Sequence, residues 1–302
     1  MPNFVVIGAA KAGTTSLDRY LRQHPEIFIC PINEPKFFCF EGEKLNYNYP
    51  KNVQWKYEKI PINNNAITDL ESYQSLFSGV TTEKAIGEVS PIYLYLSEKT
   101  SMRIKEHIPN TKIIAILRNP VERAYANFTH LIRDELEPLT DFKDAINAEE
   151  ERIKDNWWPF WHYKEHGFYY KQLCSYFEHF DHNQIKVYLY EDYVSNPSSL
   201  FNDLFHFLEV DDQVQIDTSS RYNVSGIPRS RSLYKVLETR NALTKSIRSL
   251  VPPKIRQQIR SFVLSKPPIS TGTKQELIEL YRSDILKLQD LIKRDLTEWL
   301  SC

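Results

Sequence analysis

The chain contains few cysteines, and they form no metal-binding pattern. Its four cysteines (Cys30, Cys39, Cys174 and Cys302) include no CxxC pair, and its eight histidines form no HExxH motif. These spacings exclude the common zinc signatures, so we expect no metal site. We also expect reduced thiols rather than disulfides.

Long apolar runs and a net charge are absent as well. No apolar run approaches the roughly 20 residues that a membrane-spanning helix needs, and the formal net charge is −1. A near-zero charge gives no electrostatic reason to expect nucleic acid or a membrane surface as a partner. A charged residue, Lys11, arrives early, and the N-terminus lacks the layout of a signal peptide. We therefore expect a cytoplasmic protein.

The first sixteen residues carry the most information. Phe4–Gly8 is a short apolar run that predicts a buried strand. Small residues follow, then the hydroxyl-rich segment 14–16 that opens a helical pattern. A loop between a strand and a helix N-terminus cradles oxyanions, because its N–H groups and the helix dipole both point at the anion. Gly8 and Gly13 have the spacing of a Walker A loop, but the lysine lies inside the loop at Lys11 instead of after the second glycine. The Lys-Ser/Thr pair whose hydroxyl binds magnesium in a Walker A loop is therefore missing.

The remaining pattern alternates strands with helices, which predicts a single α/β domain over residues 1–302, with a mainly parallel central sheet and helices on both faces. The predicted strands cover residues 4–8, 27–29, 85–88, 112–117 and 185–190. The predicted helices cover residues 14–23, 69–76, 97–107, 120–133, 141–154, 169–179, 198–208 and 272–299.

Four segments resemble motifs of the sulfotransferases that use 3′-phosphoadenosine 5′-phosphosulfate (PAPS), and along the chain they follow the order of the family's motifs. Residues 8–16, GAAKAGTTS, resemble the 5′-phosphosulfate loop, and residues 113–125, IIAILRNPVERAY, resemble the 3′-phosphate motif. Residues 33–38, NEPKFF, resemble the acidic motif of the glycan-modifying (heparan sulfate type) branch, and residues 87–91, GEVSP, have a counterpart there. The likeness runs from about residue 4 to Trp299 and points to soluble bacterial members.

The resemblance implies a sulfotransferase fold with a P-loop-like phosphosulfate loop, PAPS as co-substrate, adenosine 3′,5′-bisphosphate as product, and no metal. It implies that one set of residues binds the 5′-phosphosulfate: Lys11, Ala12, Gly13, Thr14, Thr15 and Ser16. Arg118 would bind the 3′-phosphate. Gly226 and Arg229 fall where the family closes a loop over the nucleotide, at the start of a segment, 229–260, that carries nine bases against one acid. The family's usual serine contact stands here as Ala126.

Two glutamates are candidates for the base. The resemblance implies that Glu34 takes the acceptor's proton while Lys11 neutralises the bridging oxygen of the donor. Pro35 predicts an extended backbone at Glu34, which would project the carboxylate into a cleft. A loop carboxylate paired with Lys36 is the plainer interpretation. Glu88, at the end of a predicted strand, is a weaker candidate beside the acceptor.

An aromatic cluster offers a candidate acceptor wall. Trp157, Trp158 and Trp161 are three of the five tryptophans. They either pack the core or form a platform for a sugar face, an apolar chain or a cation. Segment 134–155 carries nine acids against three bases, which adds a cationic molecule to the possible acceptors.

The sequence therefore predicts transfer of a sulfuryl group to a hydroxyl or amine of a small molecule (a secondary metabolite or alkaloid toxin) or a glycan. One alternative is a P-loop-type small-molecule kinase, against which the position of Lys11 argues. Another is a non-catalytic nucleotide-binding module, which Ala126 favours.

Overall fold

Five parallel strands form the centre of the protein. The computed structural model describes residues 1–50, 66–219, 226–228, 264–265 and 267–301. The sheet has the order β2-β3-β1-β4-β5, and every pair of neighbours is parallel. Its strands are β1 (Phe4–Gly8), β2 (Ile27–Ile29), β3 (Ala85–Val89), β4 (Lys112–Leu117) and β5 (Ile185–Leu189).

Helices flank this sheet. The described α-helices are α1 (Thr14–Leu21), α2 (Phe37–Phe40), α3 (Leu70–Ser75), α4 (Ile92–Tyr95), α5 (Ser97–His107), α6 (Pro120–Arg133), α7 (Phe142–Asn147), α8 (Glu149–Lys154), α9 (Tyr169–His179), α10 (Tyr190–Ser195), α11 (Pro197–Leu208) and α12 (Thr271–Ile292). Short 3₁₀ turns lie at Pro159–Trp161, Glu165–Gly167, His182–Gln184 and Thr297–Leu300. A separate antiparallel pair joins β6 (Ile227–Pro228) to β7 (Leu264–Ser265). The predicted α/β fold with a parallel sheet is confirmed.

The two central strands explain why the sheet forms where it does. All five residues of β1 are buried, and so are the last five of β4. A strand covered on both faces reads as a continuous apolar run rather than an alternating one, which is the pattern of FVVIG and KIIAIL. β1 pairs with β4 through Val5 and Ile113, and with β3 through Val5 and Glu88.

Two predicted helices are wrong in extent. The helix predicted over residues 141–154 is two helices, α7 and α8, on either side of Ala148. The helix predicted to reach residue 299 ends at Ile292, because Lys293 adopts a left-handed conformation with φ 52°. The end at Lys293 follows from a left-handed backbone that apolar spacing does not encode.

The strand order places the binding site. β1 lies between β3 and β4, so the chain runs to one side of β1 first and to the other side afterwards. Open α/β sheets bind ligands at such a switch point, in the crevice outside the carboxyl ends of the strands. The loop after β1 and the segments after β2, β3, β4 and β5 all start at that edge.

Candidate active site

A cavity of about 410 Å³ lies at this carboxyl edge. Segments after all five strands contribute to its wall, together with one face of α6. The cavity therefore brings together residues that are far apart in the sequence, from Ala10 to Thr218.

The loop after β1 forms one end of the cavity. Lys11 and residues 13–16 line it, whereas Ala12 is buried behind the wall. Gly13 adopts φ 91° and caps α1 without a side chain. A Cβ there would lie 3.0 Å from Cε1 of Tyr193, so both the backbone and the space require glycine. The first N–H groups of α1 begin at this end of the cavity, which suits an oxyanion.

Lys11 is the cation of this loop, and it is only partly exposed within the cavity. Burial, the main cause, and the neighbouring Arg133 lower the pKa of Lys11 to about 7, while Asp134 and Glu34 oppose this shift. Lys11 therefore changes charge near neutral pH unless an anion binds beside it.

Arg118 follows β4 directly and faces the same cavity. Its Nη1 donates to the backbone oxygen of Lys11 at 3.2 Å, and its guanidinium lies 4.8 Å from the ring centroid of Tyr190. Its Nη2 lies 3.5 Å from a carboxylate oxygen of Glu122. These contacts hold a planar guanidinium, which can donate two parallel hydrogen bonds, beside the loop after β1.

Glu34 and Lys36 reach the cavity from the loop after β2. The Glu34 side chain is 29% exposed, and its Oε2 lies 4.0 Å from Nζ of Lys36. Both residues are left-handed, with φ 53° at Glu34 and φ 59° at Lys36, so the extended backbone predicted at Glu34 is wrong. Contacts of the loop override the local preference: the oxygen of Pro35 accepts from the N–H of Ile67 at 2.9 Å.

One face of α6 completes the wall with residues that the sequence did not single out for the site. Arg123, Asn127 and His130 all line the cavity. Their spacing of four and three residues places them on one helix face. Ala126 is fully buried and is not among the lining residues, whereas Asn127 borders the cavity and donates to the oxygen of Phe160 at 2.7 Å. The polar spacing of Arg123, Asn127 and His130 is visible in the sequence, and it could have identified this helix face as part of a cavity wall.

The two histidines in the wall are poor proton acceptors. Burial, followed by Lys11 and Arg133, lowers the pKa of His130 well below its usual value. Its Nδ1 accepts from Nη2 of Arg133 at 2.5 Å, which leaves the ring proton on Nε2. Burial, followed by Arg123, likewise lowers the pKa of His166 far below its usual value. Glu34 is the only carboxylate among the described residues that line the cavity.

Glu88 lies outside this wall. Its side chain is fully buried beneath the carboxyl end of β3. Its carboxylate accepts from Tyr73, Tyr93 and Ser90. Burial raises the pKa of Glu88 to about 7, and these three hydroxyls oppose the shift. An acceptor in the cavity would not contact this carboxylate directly.

The tryptophan cluster is mostly core. Trp158 and Trp161 are fully buried, and neither lines the cavity. Trp158 packs edge-on against Tyr47, with ring centroids 4.8 Å apart. Trp157 is partly buried, beside Arg152 and Trp161. The wall is formed instead by the neighbouring Pro159 and Phe160.

We expect Trp161→Ala to destabilise the protein by about 3–5 kcal/mol, because a fully buried indole leaves a cavity. Trp157→Ala, at a partly buried position in the same cluster, is the matched control and should cost clearly less. Unfolding in urea measures both. Full stability of Trp161→Ala together with a raised Michaelis constant for the acceptor would return Trp161 to the acceptor wall.

Three further predictions concern the loop that closes over the nucleotide, a metal site and a membrane-spanning helix. Arg229 and the basic segment 229–260 lie outside the described residues, while Gly226 is buried just before β6 and is not among the lining residues. Among the described residues no group of His, Cys, Asp or Glu has the arrangement of a metal site. No helix in the described part of the chain is long and apolar enough to cross a membrane.

Comparison with known proteins gives the family. The model of the "Sulfotransferase family" matches residues 2–213. The chain belongs to the sulfotransferase family. The resemblance seen in the motifs is thereby confirmed.

A solved sulfotransferase from Alicyclobacillus acidocaldarius is similar over nearly the whole chain. The two are 32% identical, the match covers 99% of this chain and 98% of that one, and the TM-score is 0.76.

Two named relatives match shorter stretches of this sulfotransferase. The membrane-associated sulfotransferase kil1 of Dictyostelium discoideum is 33% identical over 159 residues, which is 51% of this chain and 29% of that protein. The bifunctional heparan sulfate N-deacetylase/N-sulfotransferase 3 of Homo sapiens is 33% identical over 132 residues, which is 43% of this chain and 13% of that protein. The matches thus span less than a third of these curated relatives.

Proposed function

We propose that this sulfotransferase moves a sulfuryl group from PAPS to a hydroxyl or amine of an acceptor, without a metal. The observation that carries the proposal is that Lys11, Arg118 and Glu34 line one cavity. A cation on a glycine-capped loop, a second cation at the end of the neighbouring strand and a single described carboxylate are the groups that this reaction requires.

The residues present fit the donor. Two anionic groups on one nucleotide need two separate cationic positions, and Lys11 and Arg118 supply them from the segments that follow the adjacent strands β1 and β4. Gly13 leaves the loop open where a Cβ would meet Tyr193, and the N-terminus of α1 adds N–H donors. The aromatic rings of Tyr190 and Tyr193 line the cavity beside Gly13 and offer surfaces on which the adenine of the nucleotide could stack.

Each residue then has a definite task. PAPS, when bound, supplies an activated sulfuryl group on a phosphate leaving group. Lys11 would neutralise charge that grows on the leaving oxygen, which is electrostatic stabilisation. Arg118 would hold the 3′-phosphate. Glu34 would accept the proton of the acceptor at a carboxylate oxygen.

The acceptor end suits one small molecule or one sugar unit. Pro91, Ile92 and Phe160 give apolar surface there, and Asn127 and His166 give polar contacts. The heparan sulfate N-sulfotransferase named above favours an amine among the candidate acceptors. A cytoplasmic location and a role in secondary metabolism stay predictions from the sequence.

The test is turnover of PAPS labelled in its sulfate, with a panel of hydroxyl and amine acceptors that includes glucosamine-containing oligosaccharides, phenols and alkaloids. We expect label to appear on an acceptor in the presence of EDTA. Transfer of the γ-phosphate from ATP–magnesium to the same panel, with no use of PAPS, would support the kinase alternative instead.

The charge of Lys11 predicts a pH dependence of donor binding. Its pKa is about 7 in the free protein, and a bound polyanion favours the ammonium form and raises that pKa. At pH 8 the protein should therefore take up a proton when adenosine 3′,5′-bisphosphate binds. The affinity should fall by up to about tenfold per pH unit above 7, as linkage requires.

Isothermal titration at pH 8 in two buffers of different ionisation enthalpy measures this uptake. Lys11→Met keeps most of the length of the side chain, removes the charge and should abolish the difference between buffers. Equal heats in both buffers for the unaltered protein would contradict the prediction.

A further inference from the structure

Glu88 gathers three hydroxyl groups in the core. Its Oε1 accepts from Tyr73 at 2.6 Å and from Tyr93 at 2.9 Å, and its Oε2 accepts from Ser90 at 2.8 Å. All four side chains are fully buried. Above its pKa of about 7 the Glu88 carboxyl is ionised and only accepts hydrogen bonds, so each hydroxyl then directs its single hydrogen at Glu88.

Two of these hydroxyls also hold the chain next to the cavity. Oγ of Ser90 accepts from the backbone N–H of Lys36 at 3.3 Å, and the hydroxyl oxygen of Tyr93 accepts from the N–H of Phe38 at 3.2 Å. Each hydroxyl is free to accept because its own hydrogen is given to Glu88. The carboxylate of Glu88 thus acts on the segment 36–38 through two hydrogen-bond relays, one through Ser90 to the N–H of Lys36 and one through Tyr93 to the N–H of Phe38.

We propose that Glu88 is a positioning residue that holds Glu34 and Lys36 in the cavity through Ser90 and Tyr93. The inference rests on the proposed function of Glu34 as the base. It assigns Glu88 to the support of the site, two hydrogen bonds away from the backbone of the segment 36–38, rather than to the acceptor.

The loop needs such support because its backbone is unfavourable. Glu34 and Lys36 are both left-handed, a conformation that is unfavourable for a residue with a side chain. Such conformations persist only where surrounding contacts determine them, and they concentrate at active sites. A hydrogen bond that ends on an ionised carboxylate is about twice as strong as a neutral one, and a buried relay adds cooperativity.

A carboxylate does this better than the amide of the same shape. Gln at this position has an N–H₂ group that donates to a hydroxyl, whose hydrogen would then turn toward the loop. The N–H of Lys36 or Phe38 would face a hydrogen instead of a lone pair. Glu88→Gln should therefore loosen the loop even if the core stays packed.

The structure provides a matched set of variants. Ser90→Ala and Tyr93→Phe each remove one hydroxyl that contacts both Glu88 and the loop. Tyr73→Phe removes a hydroxyl that contacts Glu88 alone and keeps the ring that stacks on Phe37. All three take one hydrogen bond from the same carboxylate, so a difference between them isolates the relay.

The first readout is hydrogen exchange of single backbone amides by NMR at pH 8, where the Glu88 carboxyl is mostly ionised. We expect the Lys36 amide to exchange about threefold to tenfold faster in Ser90→Ala, and the Phe38 amide to do so in Tyr93→Phe, as loss of one net hydrogen bond implies. Tyr73→Phe should leave both amides within about twofold. Unchanged exchange in Ser90→Ala and Tyr93→Phe, or equal acceleration in Tyr73→Phe, would overturn the proposal.

The second readout separates positioning from general stability. Release of labelled sulfate from PAPS, with water in place of the acceptor, should slow in Ser90→Ala, Tyr93→Phe and Glu88→Gln while the affinity for adenosine 3′,5′-bisphosphate stays within about twofold. A rate in Tyr73→Phe as low as in the relay variants would also overturn the proposal. A wild-type protein that binds no bisphosphate would refute the proposed function, and amide exchange would still report on the relay. If Glu88→Gln fails to fold, the three hydroxyl variants carry the test.

Discussion

Glu34→Gln is expected to slow sulfuryl transfer by about 10²–10⁴-fold, the usual contribution of a general base. The amide keeps the shape of the side chain and cannot take the acceptor's proton. The affinity for adenosine 3′,5′-bisphosphate should change little, because the cations at the donor end stay in place. Transfer rates at saturating PAPS and titration with the bisphosphate give the two numbers.

Glu41→Gln is the control for this variant. Glu41 lies in the same stretch of chain, pairs with His107 at 2.9 Å and does not line the cavity. It should transfer sulfate at the wild-type rate. A Glu34→Gln enzyme that also keeps that rate would remove Glu34 as the base.

Lys11→Met should impair binding and chemistry together. Lys11 faces the donor in the ground state and the leaving oxygen in the transition state, so the rate at saturating PAPS should fall by about 10²–10³-fold, as for other single donors at a developing charge. The dissociation constant of the bisphosphate should rise as well. Presteady-state transfer and isothermal titration separate the two effects.

Lys44→Met removes the same charge from an exposed position outside the cavity and should behave as the wild type. A Lys11→Met enzyme could instead bind the donor weakly but transfer sulfate at the normal maximal rate. Lys11 would then stabilise the bound donor and the transition state equally, without a special role at the leaving oxygen.

The parts of the fold that the sequence predicted are those set by local pattern. The fully apolar runs of β1 and β4 give the central strands, and Asn119 with Pro120 gives the start of α6. The short helices α2, α4 and α10 have four to six residues, too few for an apolar period to identify. The left-handed Lys293 that ends α12 has no such pattern either.

The site divides in the same way. Lys11 and Arg118 were predicted as site residues because each follows a recognisable strand, and both line the cavity. The roles of aromatic and acidic residues depended on burial instead. Trp158, Trp161 and Glu88 were candidate acceptor contacts in the sequence, with core packing as the alternative for the tryptophans, and tertiary packing places all three beneath the wall.

The face of α6 shows what closer attention to spacing would add. Arg123, Asn127 and His130 follow an i, i+4, i+7 pattern of polar residues in a helix whose remaining positions are largely apolar. Polar residues on the buried side of a helix indicate a cavity, because buried polar groups require partners. The left-handed backbone of Glu34 and Lys36 lies beyond any such pattern, since long-range contacts impose it.

Titration of the protein with adenosine 3′,5′-bisphosphate and with ATP–magnesium tests the central claim most directly. Lys11 lies inside its loop rather than at the Walker A position, and Arg118 supplies a second cation in the same cavity. We therefore expect tight binding of the bisphosphate, with an affinity that magnesium does not alter. ATP should bind more weakly. Tighter binding of ATP–magnesium than of the bisphosphate would contradict the assignment of this cavity to PAPS.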